Sequence, residues 1–407
     1  MSTIYNRVKE LVLSWVFIRS FDRFINILFS PYRAFKKRHA IRSAEQAYRQ
    51  PRSRNQAVFI CDKLNGRPIK IGFALKGMGW NVILLHRNNL SFDLSESFDE
   101  TKKFENEFDA LQIASEYTPV VYHIFSNYNF EVAYTFIKYK PGKVVFDNYD
   151  LLTGMVKEVI SNRYKQQIAL EQYCYLNANG LCCRDLRVQY LKENLPPKIL
   201  FSEYCWPKEK FKKHAKLTDG IHVVYVGSIE FDPKSVEAFQ YDLGAILSAQ
   251  QVHLHIYPSH QHIVEEMQQN MKAFVTQELI DKYVHIHNVV SPLELISEIS
   301  RYQYGLIIST TQVDFVDEGI TYFHHMGDGL LPSKLFDYME AGLFTLTQNA
   351  RFIRFVLERY GNGKVVTSLE DIAEQCKHTP QTKINLPESL TLKYNSKRLV
   401  DFYLDLK

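Results

Sequence analysis

From Ala57 onward the chain alternates short β-branched or aromatic runs with longer stretches whose apolar residues recur at helical spacing. The first series of runs is AVFICD (Ala57 to Asp62), NVILLH (Asn81 to His86), VVYHI (Val120 to Ile124), KVVFD (Lys143 to Asp147) and the weaker NGLCC (Asn179 to Cys183). A second series follows: IHVVYVG (Ile221 to Gly227), VHLHIY (Val252 to Tyr257), YVHIH (Tyr283 to His287), YGLIIS (Tyr304 to Ser309), LFTLT (Leu343 to Thr347) and KVVTS (Lys364 to Ser368). Strands separated by helical stretches are the signature of βαβ units, so an α/β class with parallel sheets is expected. The Pro-containing stretch from Pro196 to Pro207 divides the two series, which implies two Rossmann-like domains facing each other across a cleft. The expected boundaries are 55–205 and 206–386, followed by a C-terminal helix over 387–407 whose Leu392, Leu399, Phe402 and Leu406 can pack on a neighbour.

Ahead of these lies a segment of different character. Ile4, Val8, Leu11, Val12 and Trp15, then Phe21, Phe24, Ile25, Leu28 and Phe29, fall at helical spacing until Pro31 ends the pattern. Its longest apolar run, Leu11 to Ile18, is far short of the ~20 residues that span a bilayer, and no small-residue cleavage site follows it. Residues 1–54 carry twelve Lys and Arg against three acids, +9, which leaves −5 to the rest of a chain whose formal charge is +4. A basic amphipathic leader with Trp and Phe on one face suits an anionic membrane surface, contacted through residues 1–39; the plainer reading docks that face on the protein's own body. No nucleic-acid reading module accompanies the charge. The 407 residues supply bulk for two cores, and the 46% hydrophobic content excludes a fibrous or disordered chain. Six cysteines without ligand spacing argue against a zinc site or disulfide framework and fit reduced thiols in a cytoplasmic protein.

The chemistry concentrates in LPSKLFDYMEAG (Leu331 to Gly342). A loop feeding a helix at the carboxyl end of a strand offers free N–H groups to a diphosphate, and the helix dipole favours the anion. Ser333 and Lys334 at that point can donate to phosphate, and Asp337 lies on the same helical face one turn on. This segment, with LFTLT after it, resembles the donor-binding segment of GT-B glycosyltransferases, in particular the family 4-like group with the pattern P-x-K-[LI]-[FW]-[DE]-Y-x-x-x-G. IHVVYVGSIEF (Ile221 to Phe231) is similar to the first strand and glycine turn of that family's C-terminal domain, and SPLELISEISRYQYGLIIST (Ser291 to Thr310) resembles a further segment of it. The resemblance covers roughly residues 56–385 and is most specific over 221–347.

It implies a GT-B fold and transfer of a sugar from a nucleoside-diphosphate donor to an acceptor hydroxyl, with no cofactor and no bound metal. It places Asp337 as the acid that binds the donor ribose, and it brings Gly227, Ser228 and Lys234 of the glycine turn to the donor phosphates beside Ser333 and Lys334. Where many retaining members carry a Glu eight residues before the ribose acid, Gly329 stands here with Asp328 beside it, and no Arg follows the glycine turn. His123 matches a histidine that faces the sugar in the family, and histidine is suited to proton transfer near neutral pH. Asp147 and Asp150, at the end of the next strand, provide an alternative base; Glu340 reads as an exposed or packing residue. With the basic leader, the acceptor is expected to be a lipid-linked or membrane-presented glycan of surface polysaccharide or glycolipid synthesis, made at the inner face of the cell membrane. Two other readings share the architecture: a nucleotide-sugar epimerase and a non-catalytic protein that binds a nucleotide sugar or a glycan.

Overall fold

The computed structural model describes residues 32–87, 92–159, 161–184, 195–206, 211–227, 240–258, 264, 276–307, 315–317, 320–322, 331–347, 351–368, 370, 372–377 and 386–407. Residues 1–31, Ser228 and Lys234 lie outside the described residues, as do Asp328 and Gly329.

The first series of apolar runs becomes β1 (Gln56–Cys61), β2 (Asn81–His86), β4 (Val121–Ser126), β5 (Val144–Asn148) and β7 (Gly180–Cys183), with β3 (Glu100–Lys103) and β8 (Lys198–Leu200) at the two edges. The sheet runs β3-β2-β1-β4-β5-β7-β8 and all its pairings are parallel. Parallel strands covered on both faces need apolar residues at every position, and β1 shows why. Val58 and Ile60 enter one core, while Ala57, Phe59 and Cys61 enter the other.

The second series becomes β9 (Ile221–Gly227), β10 (Val252–Pro258), β11 (Val284–Ile286), β12 (Tyr304–Ile307), β15 (Phe344–Thr347) and β16 (Gly363–Val365), in the parallel order β11-β10-β9-β12-β15-β16. Each sheet therefore reverses its strand order once, between β1 and β4 and between β9 and β12, which are the switch points where ligands of such sheets bind. A third sheet was not legible in the sequence. It joins β6 (Val156–Val159), from the first half, antiparallel to β14 (Ile320–Tyr322), which pairs with β13 (Phe315–Asp317) from the second half. Main-chain hydrogen bonds thus tie the two halves together.

The C-terminal helix (Leu392–Asp405) packs on the first half rather than the second. It lies on the helix Gly66–Gly77, and its end closes over Gly180, where a Cβ would come within 2.7 Å of Leu406 and 2.8 Å of Phe402. The chain crosses back at Cys205, whose N–H donates to the Leu390 carbonyl (2.9 Å) and whose carbonyl accepts from Leu392 (2.7 Å).

Residues 32–48 form a helix. Ala40, Ala44 and Ala47 recur at i, i+4, i+7 and sit buried against the first domain, whereas residues 32–39 are exposed along their whole length. No helix among the described residues is long and apolar enough to cross a membrane. None of the six cysteines forms a disulfide, and all six are buried.

Candidate functional site

The helix Ser333–Ala341 is set by packing at the switch point of the second sheet. Tyr338 lies face-on to Gly305 of β12, where any Cβ would meet its ring at 2.4 Å. Its hydroxyl donates to the Leu306 carbonyl (3.1 Å) and accepts from the Val226 N–H (3.1 Å). β9 and β12 pair only through Tyr304↔Val223 and Gly305↔Val224, so the phenol bridges the strands where they splay. Gly342, at φ 74°, ends the helix in the left-handed conformation that glycine adopts without strain.

This seating brings Lys334 to the glycine turn. Its ammonium lies 4.2 Å over the Tyr225 ring and 3.2 Å from the position of a Cβ on Gly227, a residue held at φ 136°. The backbone conformation at Gly227 favours glycine, and the cation approaches it closely. Ser333 lies near the phenol of Tyr149, at the end of β5 in the other domain. Arg184 stacks on that Tyr149 ring at 3.7 Å and holds Asp150 through Nη2–Oδ1 at 2.6 Å. Asp150, Ser333, Lys334 and Gly227 therefore belong to one wall-to-wall arrangement of the interdomain junction.

Asp337 is there too, but occupied. Lys70, from the helix Gly66–Gly77 of the first domain, reaches across and places Nζ 2.5 Å from Asp337 Oδ1, with both side chains buried. Glu340 lies in the same pocket. It is buried rather than exposed: Oε2 accepts from the Trp206 N–H (2.8 Å), and Oε1 has no hydrogen-bond partner. Burial pulls the Lys70 pKa down, but Asp337 and Glu203 outweigh it and leave the ammonium protonated more firmly than usual. With one ammonium between two carboxyls, burial raises the pKa of both against the pull of Lys70, and that of Glu340 reaches about 8. Of the two readings of Glu340, exposed or packing, burial removes the first: its carboxyl caps a backbone N–H inside the junction.

His123 is not at the junction. Its ring is fully buried, stacked on Phe125 at 4.2 Å and edge-on to Phe59 and Tyr403. Nδ1 is hydrogen-bonded to the Tyr403 hydroxyl of the C-terminal helix, and Nε2 lies 3.2 Å from Asp147 Oδ2. Burial lowers its pKa, against the hydrogen bond to Asp147, so the ring is held neutral. A sugar-facing histidine needs a free edge toward the cleft, and this one has none. The same carboxylate oxygen takes Arg67 Nε at 2.9 Å, and Arg67 also donates to the Phe201 (2.7 Å) and Ser202 (3.1 Å) carbonyls. Burial would raise the Asp147 pKa, but Arg67 and His123 outweigh it and hold it low.

His123, Asp147 and Cys182 bring one ligand atom each within 4.8 Å of one another, a grouping compatible with a metal ion by type. Arg67 takes that place: its Nη2 lies 3.6 Å from Cys182 Sγ while its Nε holds Asp147. A second cation among these atoms would face a fixed guanidinium, so the trio does not fit a metal.

Lys70, Arg67, Glu203, Trp206, Tyr149 and Arg184 carry no motif and were not singled out by sequence. One signal was available. Arg67 and Lys70 stand three apart in GRPIKIGFALKG, a helix whose residues from Arg67 to Gly72 are all buried, and two cations on the same buried stretch require partners.

No protein-family model matches the chain, and no curated protein matches it in sequence. Solved structures do. A sucrose-phosphate synthase from Thermosynechococcus elongatus is 12% identical with a TM-score of 0.56, covering 87% of this chain and 95% of that one. Anabaena Alr3699/HepE, solved in complex with UDP-glucose, is 11% identical at a TM-score of 0.55, covering 86% and 96%. A glycosyltransferase from Rickettsia africae ESF-5 is 11% identical at 0.51, covering 87% and 94%. The chain has the GT-B fold. Lys334, Asp337 and Lys70 meet at the interdomain junction, at the switch point of the second sheet.

Proposed function

We propose that this GT-B protein is a glycosyltransferase that moves a sugar from a nucleoside-diphosphate donor to an acceptor hydroxyl. The observation that carries the reading is the opening turn of the helix Ser333–Ala341 at the splayed β9–β12 switch point, with the Lys334 ammonium against Gly227. Free N–H groups of that turn, the Ser333 hydroxyl and Lys334 receive the diphosphate. Ser228 and Lys234 complete the phosphate side in this reading. Asp337 takes the ribose hydroxyls, which requires the donor to displace the Lys70 ammonium from it. The likeness to a structure solved with UDP-glucose favours a nucleotide sugar as the ligand.

On the acceptor side Asp150 is the base we assign. Its pairing with Arg184 orients it, and Tyr149, stacked under Arg184, lies near Ser333. His123 acts one step back, positioning Asp147 and Arg67. The acceptor we infer is a lipid-linked or membrane-presented glycan. Tyr32 and Phe35 are 56% and 66% exposed on a helix that also carries Arg33, Lys36, Lys37 and Arg38, a combination suited to an anionic headgroup layer.

Transfer should be assayed with a panel of nucleotide sugars and a polyprenyl-diphosphate-linked acceptor, with the product mass read by mass spectrometry. Asp337→Asn and Lys334→Met should each lower transfer at least ~100-fold, the scale of losing a charge-stabilising group. Unchanged transfer in both variants would remove this assignment. Donor binding without transfer or hydrolysis across the panel would favour the non-catalytic reading, which the capping of Asp337 by Lys70 also suits. Deleting residues 1–39 spares the docking alanines and should release the protein from phosphatidylserine vesicles; undiminished sedimentation with them would contradict the membrane assignment.

A further inference from the structure

Five histidines stand on one face of the second sheet. His222 belongs to β9, His253 and His255 to β10, and His285 to β11, with His287 just beyond it. The register sets His222 beside His253 and His255 beside His285. The rings stack: His222 on His253 at 4.4 Å, His255 on His285 at 4.4 Å, and His255 on Tyr302 at 4.2 Å. They are also hydrogen-bonded in a line. Asp219 Oδ1 lies 2.9 Å from His222 Nε2, His222 Nδ1 lies 2.9 Å from His255 Nε2, and His255 Nδ1 lies 3.1 Å from His287 Nε2. A parallel rung joins His253 Nδ1 to His285 Nε2 at 3.1 Å. The Tyr302 and Tyr257 hydroxyls, 2.8 Å apart, close the far end, with Tyr302 3.4 Å from His287 Nε2.

The carboxylate fixes the direction of every link. Asp219 can only accept, so His222 donates from Nε2 and must accept at Nδ1; His255 then donates from Nε2 and accepts at Nδ1 from His287. The line is complete only while His222 and His255 carry one proton each. A second proton on His255 turns its Nδ1 acceptor into a donor facing the His287 donor and breaks that link, whereas a second proton on His287 enters at Nδ1, outside the line, and adds a charge beside Arg301. The surroundings offer it little compensation. Facing the rungs are the other imidazoles, Lys282 beside His253 and Arg301 beside His287, with Glu298 and Arg301 near the two tyrosines; Asp219 is the carboxylate at the His222 end.

We propose that this histidine ladder is an acid-sensitive fastening that holds the edge strand β11 to β10 and β9 at neutral pH and lets it go in mild acid. The electrostatics agree with the geometry. Burial, then the neighbouring imidazoles, lower the pKa of His255 to about 2, and burial with His285 and Arg301 lowers that of His287 to about 4. A histidine with a depressed folded pKa contributes stability that is present above its unfolded value, near 6.5, and is lost as pH falls toward the folded value. The ladder does not depend on what the junction binds. It has a route to it, because the helix Pro292–Ile299 buries Ile296 and Ile299 in the core shared with Tyr257 and Tyr302 and packs on the helix Ser333–Ala341.

Amide hydrogen exchange of the full chain, followed by mass spectrometry at pH 7.5, 6.0 and 5.0 and corrected for intrinsic rates, tests the proposal. Opening of 252–258 and 284–287 should increase about tenfold per pH unit below 6.5 for each histidine that stays neutral in the fold, ahead of any change in β1 and β4. The His285→Gln/His287→Gln double variant, at the partly exposed edge, should flatten that dependence. Equal protection of β10 and β11 at all three pH values, or a double variant with the wild-type profile, would overturn the proposal. Nitrogen-15 spectra of the wild-type imidazoles give an independent check: His222, His255 and His287 should all be Nε2–H tautomers at pH 7.5, and an Nδ1–H tautomer at His255 contradicts the chain.

Discussion

Two buried cations one turn apart on the helix Gly66–Gly77 sit in opposite situations. Arg67 is held inside one body: its partners are Asp147 on β5, Cys182 on β7, and Phe201, Ser202 and Glu203 just past β8, all around the first sheet. Lys70 leaves that body and ends on Asp337 of the other domain, beside a Glu340 oxygen with nothing bonded to it. The first arrangement has its cation fixed by several acceptors at once. The second has one ammonium, two carboxyls and a partner that belongs to another rigid unit, so a ligand can exchange for it. The comparison separates a side chain that builds the first domain from one that reports on the state of the junction.

Breaking the Arg67 cluster has the largest expected effect. Arg67→Met leaves Asp147 buried and uncompensated, and unfolding by denaturant should show a loss of about 3–5 kcal/mol. Any Arg67→Met protein that still folds should bind nucleoside diphosphate as the wild type does; a stability loss below about 1 kcal/mol would show that the cluster is not structural.

The junction responds to pH instead. Glu340 holds its proton more tightly in the folded chain than unfolded, since burial lifts its pKa to about 8. The stability this confers is complete below about pH 4.5 and drains away as pH rises toward about 8, at up to about 1.4 kcal/mol per pH unit. Glu340→Gln keeps the acceptor for Trp206 without the titration. Its unfolding free energy should therefore fall less between pH 5 and pH 8, by on the order of 3 kcal/mol, and parallel curves for variant and wild type would mean that Glu340 is ionised in the fold.

Next in size is the pair itself. A double-mutant cycle of Lys70→Met with Asp337→Asn should give a coupling of about 1–3 kcal/mol, as contacting charges do. Saturating UDP or GDP sharpens the comparison: whichever nucleotide binds should shrink this coupling, because the ribose replaces Lys70 on Asp337. A coupling unchanged by bound nucleotide would place the ribose elsewhere.

The sequence was legible where one element decides its own structure. Every apolar run from Ala57 to Ser368 appears as a strand, because a strand buried on both faces must be continuously apolar. The polar edge strand β3, ETKK, has no such pattern, and the β6–β14 pairing exists only through contacts between distant segments. The same division runs through the site. Ser333, Lys334 and Gly227 were readable because a helix start and a glycine turn are local, and the structure sets them side by side. Lys70 was not, since its partner lies 267 residues away, and neither was the sealing of His123, which depends on the last helix folding back.

That last dependence gives the smallest effect and the finest test of the contrast. Tyr403 reaches His123 from the C-terminal helix, and its hydroxyl meets Nδ1 while Asp147 takes Nε2. Tyr403→Phe keeps the ring that packs on Trp80 at 5.9 Å and removes one hydrogen bond, so about 1 kcal/mol of stability should be lost. If His123 only positions Asp147 and Arg67, transfer by Tyr403→Phe should keep the wild-type pH profile, since the imidazole stays neutral and enclosed. A shift of that profile by a full pH unit would mean that the proton on His123 takes part in turnover, and the cluster around Arg67 would then belong with the junction rather than apart from it.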